Sequence, residues 1–87
     1  MLRISNPESG ELTVTLRLEG QIVGPWVDEL RRASERFLGN GHRLVLDLTE
    51  VTFADRGGVA LLLELQAKVV SLMGCSPFLD EQLKRFG

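Results

Sequence analysis

The 87 residues carry ten basic and twelve acidic side chains, a net charge of −2 and 44% hydrophobic content, which suits one folded domain spanning 1–87 and excludes both a disordered chain and a basic nucleic-acid binder. A single cysteine and a single histidine exclude an internal disulfide and a multi-ligand zinc site. The longest apolar run, Val59–Leu63, falls far short of the roughly 20 residues that cross a bilayer, so a cytoplasmic protein without cofactor or metal is expected.

In chain order, Met1–Ser5 and Glu11–Glu19 flank the turn-forming stretch Asn6-Pro7-Glu8-Ser9-Gly10. Leu12, Val14, Leu16 and Leu18 alternate with polar residues. This predicts a β-hairpin with one buried face and with Thr13, Thr15 and Arg17 turned outward. Pro25 suits a first helical turn, and Trp26, Val27, Leu30, Ala33, Ser34, Phe37 and Leu38 recur at helical spacing until Gly39-Asn40-Gly41. Leu44-Val45-Leu46 lacks alternation, which predicts a strand buried on both faces.

A second helix is expected from Gly57 to about Lys68 on the strength of Val59, Leu61, Leu62 and Leu65. The β-branched pair Val69-Val70 before Gly74 favours a short strand over continued helix in 69–73. Ser76-Pro77 then opens a last helix bearing Phe78, Leu79, Leu83 and Phe86. The order β-β-α-β-α-β-α describes an α/β domain with a mixed four-stranded sheet and helices packed mainly on one side.

Between the buried strand and the second helix, Asp47-Leu48-Thr49-Glu50-Val51-Thr52-Phe53-Ala54-Asp55-Arg56-Gly57-Gly58 occupies the place where open α/β sheets carry functional loops. Asp55 fits a helix N-cap, and Gly57 and Gly58 permit close approach of another backbone. A capped turn that only starts a helix explains the same residues.

This segment, with Leu18-Glu19-Gly20 before it and Val59-Ala60-Leu61-Leu62 after it, resembles the signature of the STAS family of anti-sigma factor antagonists. The shared features are a strand ending in an Asp-Leu-Ser/Thr step, an apolar turn, and an Asp-Ser-Ser-Gly type loop opening a helix. The resemblance implies a non-enzymatic module that binds an anti-sigma factor with serine-kinase activity through Asp55, Arg56, Gly57, Gly58, Leu61 and Leu62. It also implies that Gly57 stands where phosphorylated members carry their phosphoserine, with Arg56 replacing the first serine. No loop phosphorylation is therefore expected, and Thr49 and Thr52, the nearest hydroxyls, read as turn or strand residues. Arg56 opposes the helix dipole, which makes it a candidate contact for an acidic partner.

Other readings stay open. Stand-alone STAS proteins also resemble the small cytoplasmic subunit of lipid-transporting ABC systems, where the partner is an ATPase. Gly57, Gly58 and the helix N-terminus form a weak candidate anion or nucleotide site without a P-loop lysine. An enzyme would need a nucleophile with a base or a carboxylate pair, and Asp47 and Asp55 are explained by turn and cap roles. A monomer or weak homodimer is expected, with no insertion into a membrane.

Overall fold

The computed structural model describes residues 2–9, 12–68 and 70–86. Seven elements follow one another: β1 (Leu2–Ser9), β2 (Thr13–Ile22), α1 (Pro25–Gly39), β3 (Arg43–Ala54), α2 (Arg56–Ala67), β4 (Ser71–Met73) and α3 (Pro77–Phe86). The sheet runs β1-β2-β3-β4; β1 and β2 are antiparallel, whereas β3 lies parallel to both β2 and β4. Element order and mixed sheet agree with the sequence expectation.

Strand alternation puts the core on one side. Val14, Leu16 and Leu18 of β2 are buried, and the register sets Val14 beside Leu44 and Leu16 beside Leu46 on the same face. Onto these pack Leu30 of α1, Val59, Leu61, Leu62 and Leu65 of α2, and Leu79 and Leu83 of α3, all in one cluster. Each fully buried leucine contributes about 1.5–3 kcal/mol, so the three helices are held mainly by this shared face. The opposite face presents Thr13, Arg17 and Arg43 to solvent, while Val45 is half-buried. β3 is therefore not buried on both faces; its central residues alternate, and the run of three apolar residues concealed this.

Two further expectations change. The strand β1 continues through Asn6–Ser9, where the sequence predicts a turn. Its pairing steps from Ser5↔Arg17 to Glu8↔Thr15, so Asn6-Pro7 lies at a β-bulge, where a proline without an N–H is tolerated. The connection falls later, where Gly10 and Glu11 lie outside the described residues, and Leu12 is 71% exposed rather than part of the buried face. Leu12 precedes the ladder, and its carbonyl accepts the Arg43 N–H at 2.6 Å.

Likewise β3 persists to Ala54, through residues expected to form a turn. Asp47 Oδ1 accepts both the N–H of Thr49 at 3.0 Å and its hydroxyl at 2.5 Å. This local bond bends the strand without ending it: pairing passes from Arg17↔Asp47 to Glu19↔Glu50, and again from Gly20↔Val51 to Gln21↔Phe53, with an extra β3 residue each time. Gly74 packs against this bend at φ 71°; a Cβ there would overlap the Thr49 hydroxyl and backbone nitrogen.

The short strand expected over 69–73 is present as β4 at Ser71–Met73, with Val69 outside the described residues. Ser76 caps α3 by accepting the Leu79 N–H at 3.1 Å.

Candidate functional site

The β3–α2 junction is a single residue, Asp55, and its carboxylate joins three segments. Oδ1 accepts the Gly58 N–H at 2.8 Å, capping α2, and Oδ2 accepts the Gly24 N–H at 2.9 Å from the loop before α1. The Asp55 N–H donates to the Ile22 carbonyl at 3.1 Å, closing the end of the β2–β3 ladder. The amides of Gly24, Gly58 and Gly57 hold its pKa below the ordinary carboxylate value, against a smaller upward push from burial. An arrangement of this kind keeps a fixed negative charge at the start of a helix. The same position cannot readily seat a second anion, so the candidate phosphate site at Gly57 and Gly58 is already filled by the protein's own carboxylate.

The two glycines after Arg56 differ in kind. Gly58 is buried, and a Cβ on it would overlap the Ile22 carbonyl oxygen, so glycine is required where α2 touches the end of β2. Gly57 is exposed, and a Cβ there would meet only Asp55 Oδ1 at 3.5 Å and Val27 Cγ2 at 3.9 Å. Arg56 is exposed and forms no ion pair among the described residues.

Of the six residues singled out in the sequence, the structure brings Asp55, Arg56 and Gly57 to one surface. Gly58, Leu61 and Leu62 lie beneath it; Leu61 and Leu62 are 1% and 0% exposed and face the core. Their apolar character reports packing, and a contact role for these two is corrected on that ground. The exposed residues of α2 are Arg56, Gly57, Ala60, Glu64, Gln66 and Ala67, with Leu63 half-buried. Glu64 pairs with Arg31 of α1, tying the two helices together. Ala60 and Glu64 could have been found from Gly57 by helical spacing alone.

Other neighbours had no sequence signal. Gln82 of α3 donates to the Ala54 carbonyl at 3.4 Å, immediately before Asp55. Phe53 and Phe78 are exposed, Phe78 on the rim of a groove of about 370 Å³ that also includes Gln82. Asp47 is occupied with Thr49, and the Thr52 hydroxyl donates to the Gly20 carbonyl at 3.2 Å, so both threonines serve the strand. The Cys75 thiol is pushed up in pKa by burial and then by Asp80, which disfavours a reactive thiolate.

Among the described residues no three of His, Cys, Asp and Glu gather as a metal site, and no helix is long and apolar enough to cross a membrane.

Comparison with known proteins gives a consistent picture of the fold. Residues 6–87 match the family described as Mlab, STAS domain. The anti-sigma factor antagonist SpoIIAA in its unphosphorylated form superposes with a TM-score of 0.75 at 22% identity, covering 98% of this chain and 84% of that one. An anti-sigma factor antagonist STAS domain from Rhodobacter sphaeroides gives a TM-score of 0.64 at 19% identity over 84% of this chain and 86% of the other. An uncharacterised DUF3478 protein with a SpoIIAA-like fold from Shewanella loihica PV-4 gives 0.59 at 15% identity, covering 88% and 69%. No curated protein matches the chain in sequence.

Proposed function

The chain belongs to the STAS domain family, and from that premise we propose that residues 1–87 act as one non-enzymatic interaction domain of the anti-sigma factor antagonist kind. Its partner surface is the exposed start of α2, with Asp55 as the rigid anchor, Arg56 and Gly57 at the centre, and Ala60 extending it. Gly58, Leu61 and Leu62 support this surface from below. The observation that carries the reading is the exposed Gly57 backbone, held open beside a carboxylate whose two oxygens are both spent on backbone amides. Such a surface is preorganised, so little conformational entropy opposes docking. Arg56 adds a positive charge, without an ion pair among the described residues, for an acidic partner.

Residues 56 and 57 carry no hydroxyl, so partner release by phosphorylation of this loop has no acceptor. That absence of a switch favours a second reading, in which the domain is a permanent subunit bound to the ATPase of an ABC-type lipid transporter. Affinity capture from cell extract with mass spectrometry, comparing wild type with Arg56→Glu, tests both. Recovery of a kinase-like anti-sigma factor by the wild type and its loss in the variant supports the first reading; recovery of a transporter ATPase supports the second. Unchanged recovery in the variant removes Arg56 from the surface.

A further inference from the structure

Because β2 and β3 are parallel, Asp55 follows the ends of both strands while Thr13 and Arg43 stand paired at their beginnings, about 30 Å away along the ladder. A groove of about 430 Å³ opens at this far end. Among the described residues its polar lining consists of Thr13, His42, Arg43, Lys68 and Ser71, without one acidic side chain, in a chain whose net charge is −2. Arg43 and Lys68 are exposed, and neither forms an ion pair among the described residues. Lys68 is the C-cap of α2, where a cation complements the helix dipole. Arg43 opens a strand, and no such explanation applies to it.

The remaining wall is apolar, formed by Leu38, Leu44 and Val45. His42 is fixed beside it by its N–H bond to the Phe37 carbonyl at 3.1 Å and by an edge-on ring contact with Phe37 at 6.0 Å, and its Nδ1 is buried without a hydrogen-bond partner among the described residues. Two cations of different geometry, two hydroxyls and an apolar floor in a volume of this size fit a small organic anion better than a bare ion.

We propose that this groove is a second binding site, for a small organic phosphate or a phosphate headgroup of the same chemistry. Arg43 and Lys68 take the phosphate, Thr13 and Ser71 donate to its oxygens, and the organic part rests on Leu38 and Val45. The site is independent of the Arg56 surface and stands whether or not that surface binds a protein.

The test is an amide NMR titration of the full chain with inorganic phosphate and with glycerol 3-phosphate, against sodium chloride at matched ionic strength. The expected result is saturable shifts confined to Thr13, Arg43, Lys68, Ser71 and their neighbours, with glycerol 3-phosphate binding more tightly. Affinity falls about tenfold in Arg43→Gln and in Lys68→Gln and is unchanged in Arg32→Gln. Sedimentation with phosphatidylglycerol but not phosphatidylcholine vesicles, lost in Arg43→Gln, assigns the phosphate to a lipid headgroup; binding of the soluble probes without sedimentation assigns it to a soluble ligand. Shifts that chloride reproduces, that spread over the arginines of every element, or that Arg43→Gln leaves intact overturn the proposal.

Discussion

Gly58 lies against Ile22 so closely that a methyl group on it would overlap the Ile22 carbonyl oxygen. Since that carbonyl also accepts the Asp55 N–H, neither side can yield without disturbing the β3–α2 junction. Gly58→Ala is expected to destabilise the fold by about 2–3 kcal/mol, in the range of overpacking a close contact. Gly57→Ala, whose Cβ would make only ordinary van der Waals contacts with Asp55 and Val27, is expected to be neutral or stabilising by up to about 1 kcal/mol through helix propensity. Urea denaturation of the two variants side by side checks the contrast.

Asp55 and Asp47 both have folded-state pKa values held below the ordinary carboxylate range, Asp55 by backbone amides and Asp47 first by the Thr49 hydroxyl and then by its N–H. A depressed folded value means that the charged form stabilises the fold. The contribution is complete well above the unfolded value of about 3.9 and is lost as pH falls through the lower folded values. Asp55→Asn keeps an acceptor for the Gly58 N–H but sets an amide NH2 against the Gly24 N–H, and should lower stability at neutral pH by about 1–2 kcal/mol through that unsatisfied donor. Its stability should also depend less on pH between about 5 and 2. Thermal melts of wild type and variant across that range measure both effects.

Among the described residues Ser34 is the one buried polar residue of the core, 0% exposed, and its hydroxyl has no hydrogen-bond partner among them. Burying such a group costs about 1–3 kcal/mol, and alanine is the better helix former. Ser34→Ala is expected to raise stability by about 1 kcal/mol, visible as a higher urea midpoint at unchanged slope.

Gly74 meets Thr49 at the bend of β3 with φ at 71°. Gly74→Ala should cost about 2 kcal/mol or more from overlap and backbone strain together. Adding Thr49→Ala removes the hydroxyl overlap but leaves the clash with the backbone nitrogen and the positive φ. A double-mutant cycle should therefore show partial, not full, recovery.

The space around Gly57 accepts a short side chain, yet Asp55 Oδ1 stands 3.5 Å from where its Cβ would be. Gly57→Ser should fold with unchanged stability and restore a hydroxyl at the centre of the proposed partner surface. Gly57→Asp should fold as well but place a second carboxylate beside Asp55, weakening the partner at least tenfold through like-charge crowding. Calorimetric titration of the captured partner against the three forms checks the order.

Much of the fold was legible because local signals agreed: Pro25 and Ser76-Pro77 mark where helices start, and the alternation of Val14, Leu16 and Leu18 marks the buried face of β2. The bend at Asp47-Thr49 looks like a turn in sequence because an Asx bond can either end a strand or curve it, and only the partner register of β2 decides between them. Leu12 satisfied the alternation by count but lay before the paired region. At the site, Asp55 was recognisable as a cap from its place before Gly57 and Gly58. Its second bond, to Gly24, joins residues 31 apart and had no trace in local pattern. Leu61 and Leu62 carry no local mark of burial, because an apolar helix face looks alike in sequence whether it meets a core or a partner.

The four strands lie in the sheet in the order in which they occur in the chain. No strand has to be inserted between two that are already paired, so assembly can proceed by addition at one edge. The β1–β2 hairpin offers a template on which β3 docks through the α1 crossover, and β4 closes the series with only three residues. Growth from the N-terminal side matches the direction in which a ribosome delivers the chain, and it keeps each new loop closure short.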